Sequence, residues 1–246
     1  MHRSLQSSAM KLFAIALVAL AALAPPAFAV ETTNETTAAL FAEQYPVTRS
    51  VLAADFPQDL QALEQSFGDI DSTEISPQLK MQRAFLELTA LRKQYASQLQ
   101  FARADMSALV VLSLADFYQS VLQRDGAAVC GGFATDGAGA LYTIGAAPGY
   151  ALELDRQSAA YFSAVVSALE DPDAVGPASE EDWKQVMSQI VTDGHPPSYL
   201  ASIAGGRATD PDLCPALSAF MHAMVDVKSD VALRARADFI QNATGY

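Results

Sequence analysis

The chain is poor in the side chains that most often hold metals or carry covalent chemistry: its 246 residues include two cysteines and three histidines. Neither HExxH nor a zinc-type CxxC occurs, and one histidine, His2, lies in the N-terminal leader, so a histidine-rich metal site is excluded and no cofactor is expected. There is no Gly-Lys-Ser/Thr and no GxGxxG, which removes the phosphate-cradling loops, and no GxSxG, which removes the usual serine elbow around Ser158, Ser163 or Ser167. Basic residues are scarce as well. Fifteen Lys and Arg stand against 28 Asp and Glu, a net charge of −13. Such a surface repels nucleic-acid phosphates and anionic lipid head groups. No segment after residue 29 reads as long and apolar enough to span a membrane, since the most hydrophobic stretch, Ala108 to Ala115, is bracketed by Asp105 and Asp116.

What the chain does have begins with an address. An apolar run from Leu12 to Ala24 follows Lys11, Pro25-Pro26 closes it, and Ala27-Phe28-Ala29 has the small-x-small form that signal peptidases cut. Residues 1–29 are expected to be a cleaved signal peptide, and residues 30–246 a single helical domain starting at Val30. Translation from Met10 would give the leader a more typical basic start. Loss of Arg3 and Lys11 takes the mature chain to a formal charge of −15. The protein is expected to be exported, to the periplasm or the exterior, without stable membrane insertion. In an oxidising compartment an even cysteine count reads as a disulfide, here Cys130 with Cys214.

The mature chain reads at helical period. Ser76-Pro77 is a start signal, followed by a stripe of Met81, Ala84, Phe85, Leu88, Leu91, Tyr95, Leu99 and Ala102. A second long helix is expected from Ala104 to Arg124, stopped by Gly126. Upstream, Thr36 to Tyr45 and Pro57 to Phe67 form shorter helices, interrupted near Pro46 and ended at Gly68. Downstream, Tyr150 to Leu169 is amphipathic. Ser179 and Asp182 form a capping-box-like start for a helix reaching Thr192. Further helices follow Asp210-Pro211, with Leu213, Leu217, Phe220, Met221, Met224 and Val225 on one face, and run from Val227 to Ala243. The whole is an all-α, irregular multi-helix bundle. Its exception is Gly126 to Gly149, where seven glycines in 24 residues predict a glycine-rich loop or a small β-hairpin.

Three functional readings follow. The first is a helical binding or accessory protein, of inhibitor or immunity type, with a protein partner in the envelope; the acidic surface suits a basic partner. Its binding-loop candidates are His195, Tyr199 and Arg207, around a rigid Gly-His-Pro-Pro-Ser-Tyr turn. The second is a cysteine-dependent hydrolase in which Cys130, among glycines, is the nucleophile and His195 or His222 the base. The third is a small-ligand carrier with a pocket between helices, lined by Phe85, Tyr95 and Phe117. The carboxylates Glu170, Asp171, Asp173, Glu180, Glu181 and Asp182 lack calcium-loop spacing and read as a solvated run. Asn34-Glu35-Thr36 and Asn242-Ala243-Thr244 match glycosylation acceptors.

Overall fold

The structure is a computed structural model that describes residues 35–172 and 175–242. The leader with its expected cut before Val30, the alternative start at Met10, Asp173 and parts of both Asn-x-Thr motifs lie outside the described residues. Among the described residues all regular structure is helical, in eleven α-helices and two 3-10 turns, with no strand. In chain order these are α1 (Thr37–Gln44), α2 (Pro46–Asp55), α3 (Pro57–Asp71), α4 (Pro77–Tyr95), α5 (Ala104–Asp136), α6 (Gly139–Thr143), α7 (Ala151–Glu170), α8 (Glu180–Thr192), α9 (Ser198–Gly205), α10 (Leu213–Asp226) and α11 (Ser229–Asn242). The 3-10 turns are Ala96–Phe101 and Ala147–Tyr150.

Helix α5 is the spine. It packs most extensively on α10 and then on α7, while α7 carries α2 on its other side. The N-terminal helices α1 to α4 pack on one another, and α8, α9 and α11 gather around α10. Val110, Val111, Leu114, Phe117 and Val121 of α5, with Phe162 and Val165 of α7 and Met221 and Met224 of α10, are all buried. Arg236 of α11 is buried too. It donates to the Ser107 hydroxyl at 3.1 Å and to the carbonyls of Met224 and Ala104 at 3.1 and 3.2 Å, tying α11 to α10 and the start of α5.

Local chemistry sets several helix starts. The Ser76 hydroxyl accepts from the Leu79 N–H at 3.3 Å, with Pro77 at the first helical position, as that pair predicts. Ser179 and Asp182 form a full reciprocal capping box at the start of α8. Pro46 departs from expectation: it opens α2 rather than interrupting a helix, because proline at a first-turn position lacks only an N–H that the helix does not use. The next amides are satisfied from a distance. Val47 and Thr48 donate to the Asp155 carboxylate of α7 at 3.0 and 2.8 Å, and the Thr48 hydroxyl donates to the Asp155 carbonyl at 3.0 Å. Asp71 serves α1 in the same way, accepting from the Thr37 N–H at 2.9 Å and its hydroxyl at 2.7 Å.

Five further expectations are corrected. Gly68 lies within α3, which runs on to Asp71. Leu99 and Ala102 continue the α4 stripe only by way of the 3-10 turn, not within one helix. Gly126, at φ +81°, breaks the helical path as a terminating glycine should, but the chain re-enters a helix at once, so α5 continues to Asp136 across a kink. The glycine-rich stretch beyond it is therefore helical, comprising the second half of α5, α6 and a 3-10 turn, and not a hairpin. The reason is visible at Gly131. A Cβ there would sit 1.9 Å from the Ala208 carbonyl oxygen, so this helix needs glycine for backbone-to-backbone packing. Finally, by length and composition α5 is long and apolar enough to cross a membrane, contrary to the sequence reading. Its apolar face is the one buried against α7 and α10.

Candidate functional site

Among the described residues, α8 and α9 border a mainly apolar groove with a clear origin. Helix α8 carries two apolar stripes about 100° apart, the angle between consecutive helical residues. Val186 and Ile190 face the core and are fully buried. Trp183, Met187 and Val191, each one residue along from the core-facing position, form the second stripe, which is only partly covered. Across from it Leu200 projects from α9, and Glu180, Lys184 and Ser188 complete a groove of 560 Å³. Val191 is 45% exposed.

The groove walls are held from beneath. Trp183 stacks on Phe220 of α10 at 5.9 Å between ring centroids, and Phe220 meets Phe239 of α11 edge-on. Asp182 accepts from Arg234 of α11 at 2.6 and 3.0 Å, which fixes the start of α8. Arg234, followed by the Ser179 hydrogen bonds, holds the Asp182 carboxyl well below the usual carboxylate range. Lys184 pairs with Glu180 one turn earlier at 2.9 Å.

The sequence-derived candidates fall around this groove unequally. His195, in the turn between α8 and α9, and Tyr199, at the start of α9, are brought together, their rings stacked at 5.7 Å. The His195 N–H donates to the Ile190 carbonyl at 3.2 Å and helps close α8. Arg207 is exposed just past Gly206, at the opposite end of α9, and the structure does not join it to the other two. Cys130 and Cys214 are joined, their sulfurs 2.07 Å apart, and both are buried. The exposed thiol that a hydrolase would need is absent among the described residues, and His222 sits exposed on α10.

Of the carrier residues, Phe85 and Phe117 are core and Tyr95 is half-buried against it. Phe85 packs on Tyr142, Phe117 on Phe133 and Tyr150, and Tyr95 lies edge-on to Phe56 while donating to Asp59 at 2.5 Å. None of the three lines the groove. A smaller depression of 270 Å³ between α3 and α4 is lined by Ser66, Asp69, Ile70, Arg83, Leu86 and Glu87. Of the carboxylate run, Glu180 lies on the groove, Asp182 is buried under Arg234, and Glu170, Asp171 and Glu181 are exposed.

Sequence reasoning missed a buried polar cluster formed by α4, α6, α7 and the α1–α2 junction at Tyr45. The Arg92 guanidinium lies over the Tyr161 ring at 4.6 Å, and the Tyr161 hydroxyl donates to the Arg92 carbonyl at 2.5 Å. The hydroxyls of Tyr45 and Tyr142 are 3.0 Å apart. Burial pushes Arg92 down to about 10 and Tyr161 up to about 12. Arg92, Tyr45 and Tyr161 are closed off from solvent and Tyr142 nearly so, and none lines either surface depression. This cluster is internal structure.

Against protein-family models, curated proteins and solved structures, the chain matches none. What the site can do is accordingly read from its own residues. Among the described residues no grouping of His, Cys, Asp and Glu is fit for a metal, and the groove's lining is mainly an apolar stripe suited to contact.

Proposed function

We propose that this chain is an exported, soluble accessory protein that acts by binding a protein partner through the groove between α8 and α9. The observation that carries the reading is the second stripe of α8: Trp183, Met187 and Val191 at i, i+4 and i+8, left partly uncovered beside Leu200. Helical spacing of partly exposed large apolar side chains is the pattern by which grooves receive protein segments. Export is supported by the organisation of residues 1–29, and an inhibitor or immunity-type role by the acidic composition, which steers a basic partner.

Site-specific photo-crosslinking tests it. A photoreactive residue is placed at Ser188 in the groove, and in a second version at Glu87 in the other depression, within the full chain in its producing cell. A discrete adduct from position 188 and none from 87 is expected. Equal adducts, or none from 188, would overturn the reading. The intact mass of the exported chain checks its start at Val30.

A further inference from the structure

The groove has a length, a chemistry and a charge, and together they specify an occupant. Along α8 it runs from Glu180 to Val191, eleven residue steps, or about 16 Å at the helical rise. That is three turns of a helix lying alongside. The apolar anchors Trp183, Met187 and Val191 recur once per turn, with Leu200 supplying the opposite wall, so a partner helix presenting its own apolar residues at i, i+4 and i+7 meets them in register.

The charges around this floor are acidic. Of those near α8, Asp182 is compensated by Arg234 and Lys184 is compensated by Glu180. Glu181 and Asp193, at the two ends of α8 but off its apolar stripe, are exposed and form no salt bridge among the described residues. Beside α9, Asp212 lies 3.3 Å from the Ser198 hydroxyl, adding negative charge at that helix's start. The whole chain carries −13 behind them. An apolar floor on a helix with surplus acid at its ends, in a strongly acidic chain, complements a segment with apolar residues on one face and lysine or arginine at its margins.

We infer that the occupant is a basic amphipathic α-helix of about three turns belonging to a partner protein. This rests on the reading of the groove as a protein-binding site. Trp183 is the only tryptophan in the chain and lines the groove, so its fluorescence reports occupancy without a label.

The test uses two synthetic peptides of about 14 residues, four turns of helix. Both carry leucine at i, i+4 and i+7, one with lysines and the other with glutamates at the flanking positions. The lysine peptide is expected to shift Trp183 emission to the blue saturably, about tenfold more weakly in 0.5 M salt than in 0.05 M. The glutamate peptide is expected to bind at least about tenfold more weakly than the lysine one. Val191→Glu, at an exposed position, is expected to keep the melting temperature and to abolish the lysine-peptide response; Leu200→Glu is the second variant should the first fail to fold.

Equal response to both peptides overturns the charge preference and leaves the groove as a binding site. Silence of both, with an adduct still formed from position 188, overturns the helical occupant alone. Silence of both with no adduct overturns the groove reading itself.

Discussion

Arg234 closes on Asp182 across 52 residues of sequence, its two nitrogens 2.6 and 3.0 Å from the two carboxylate oxygens. The same carboxylate accepts from the Ser179 N–H at 2.8 Å and the Ser179 hydroxyl at 2.7 Å, so one side chain both starts α8 and fastens it to α11. One carboxylate thereby anchors the N-terminal end of the groove's α8 wall.

Protonating that carboxylate should loosen the wall. Its native pKa is held below the unfolded value of about 3.9, so the unfolded chain takes up the proton first as pH falls. The stabilisation is complete above about pH 4 and shrinks progressively below it. Asp182→Asn is expected to flatten the fall in melting temperature between about pH 4 and pH 2, measured by circular dichroism against the parent chain. An unchanged slope would mean that other carboxylates dominate the acid limb.

Replacing both cysteines by serine should lower stability by roughly 3–5 kcal/mol, because the bridge closes an 84-residue separation. Urea unfolding of the double variant measures it. Alkylation of the native exported protein should label no thiol before reduction.

Asp155→Ala should cost about 2–4 kcal/mol, since it strands the first-turn donors of α2, the buried Thr48 amide and the half-covered Val47 amide. Thermal melting provides the figure, with one kcal/mol worth about 2–4 °C in a chain of this size. A loss below about 1 kcal/mol would show that water replaces the carboxylate.

Gly131→Ala should destabilise by at least about 1–3 kcal/mol, the overpacking range, because its Cβ would collide with a backbone oxygen rather than a movable side chain. Gly132→Ala, where a Cβ meets nothing within 4 Å, should be neutral or slightly stabilising through helix propensity. The pair of melts separates collision from propensity.

The helix content was legible because its signals are local. Ser76-Pro77, the Ser179–Asp182 box and the apolar stripes each act within a few residues, and the helices they predict are present. What escaped is what depends on distant partners. The start of α2 relies on Asp155, which is 107 residues from Thr48, so Pro46 read as an interruption. The helix after Gly126 relies on contact with Ala208, so its glycines read as a loop. The groove escaped for a related reason: Trp183, Met187 and Val191 look like core on a helix whose core face is already supplied by Val186 and Ile190. The excess of apolar residues on α8 was the available signal.

The contact between Gly131 and Ala208 also bears on how distant kin would be known. A side chain at that point has nowhere to go, and the neighbouring Cys130 is bonded to Cys214. Any chain that keeps this junction should therefore carry Cys-Gly on its long central helix and a second cysteine early in a later helix, whatever has happened to the rest of its sequence. That three-residue signature, with the two helices spaced to bring it together, is a more discriminating search pattern than overall similarity for a bundle whose other positions ask only for apolar residues at helical spacing.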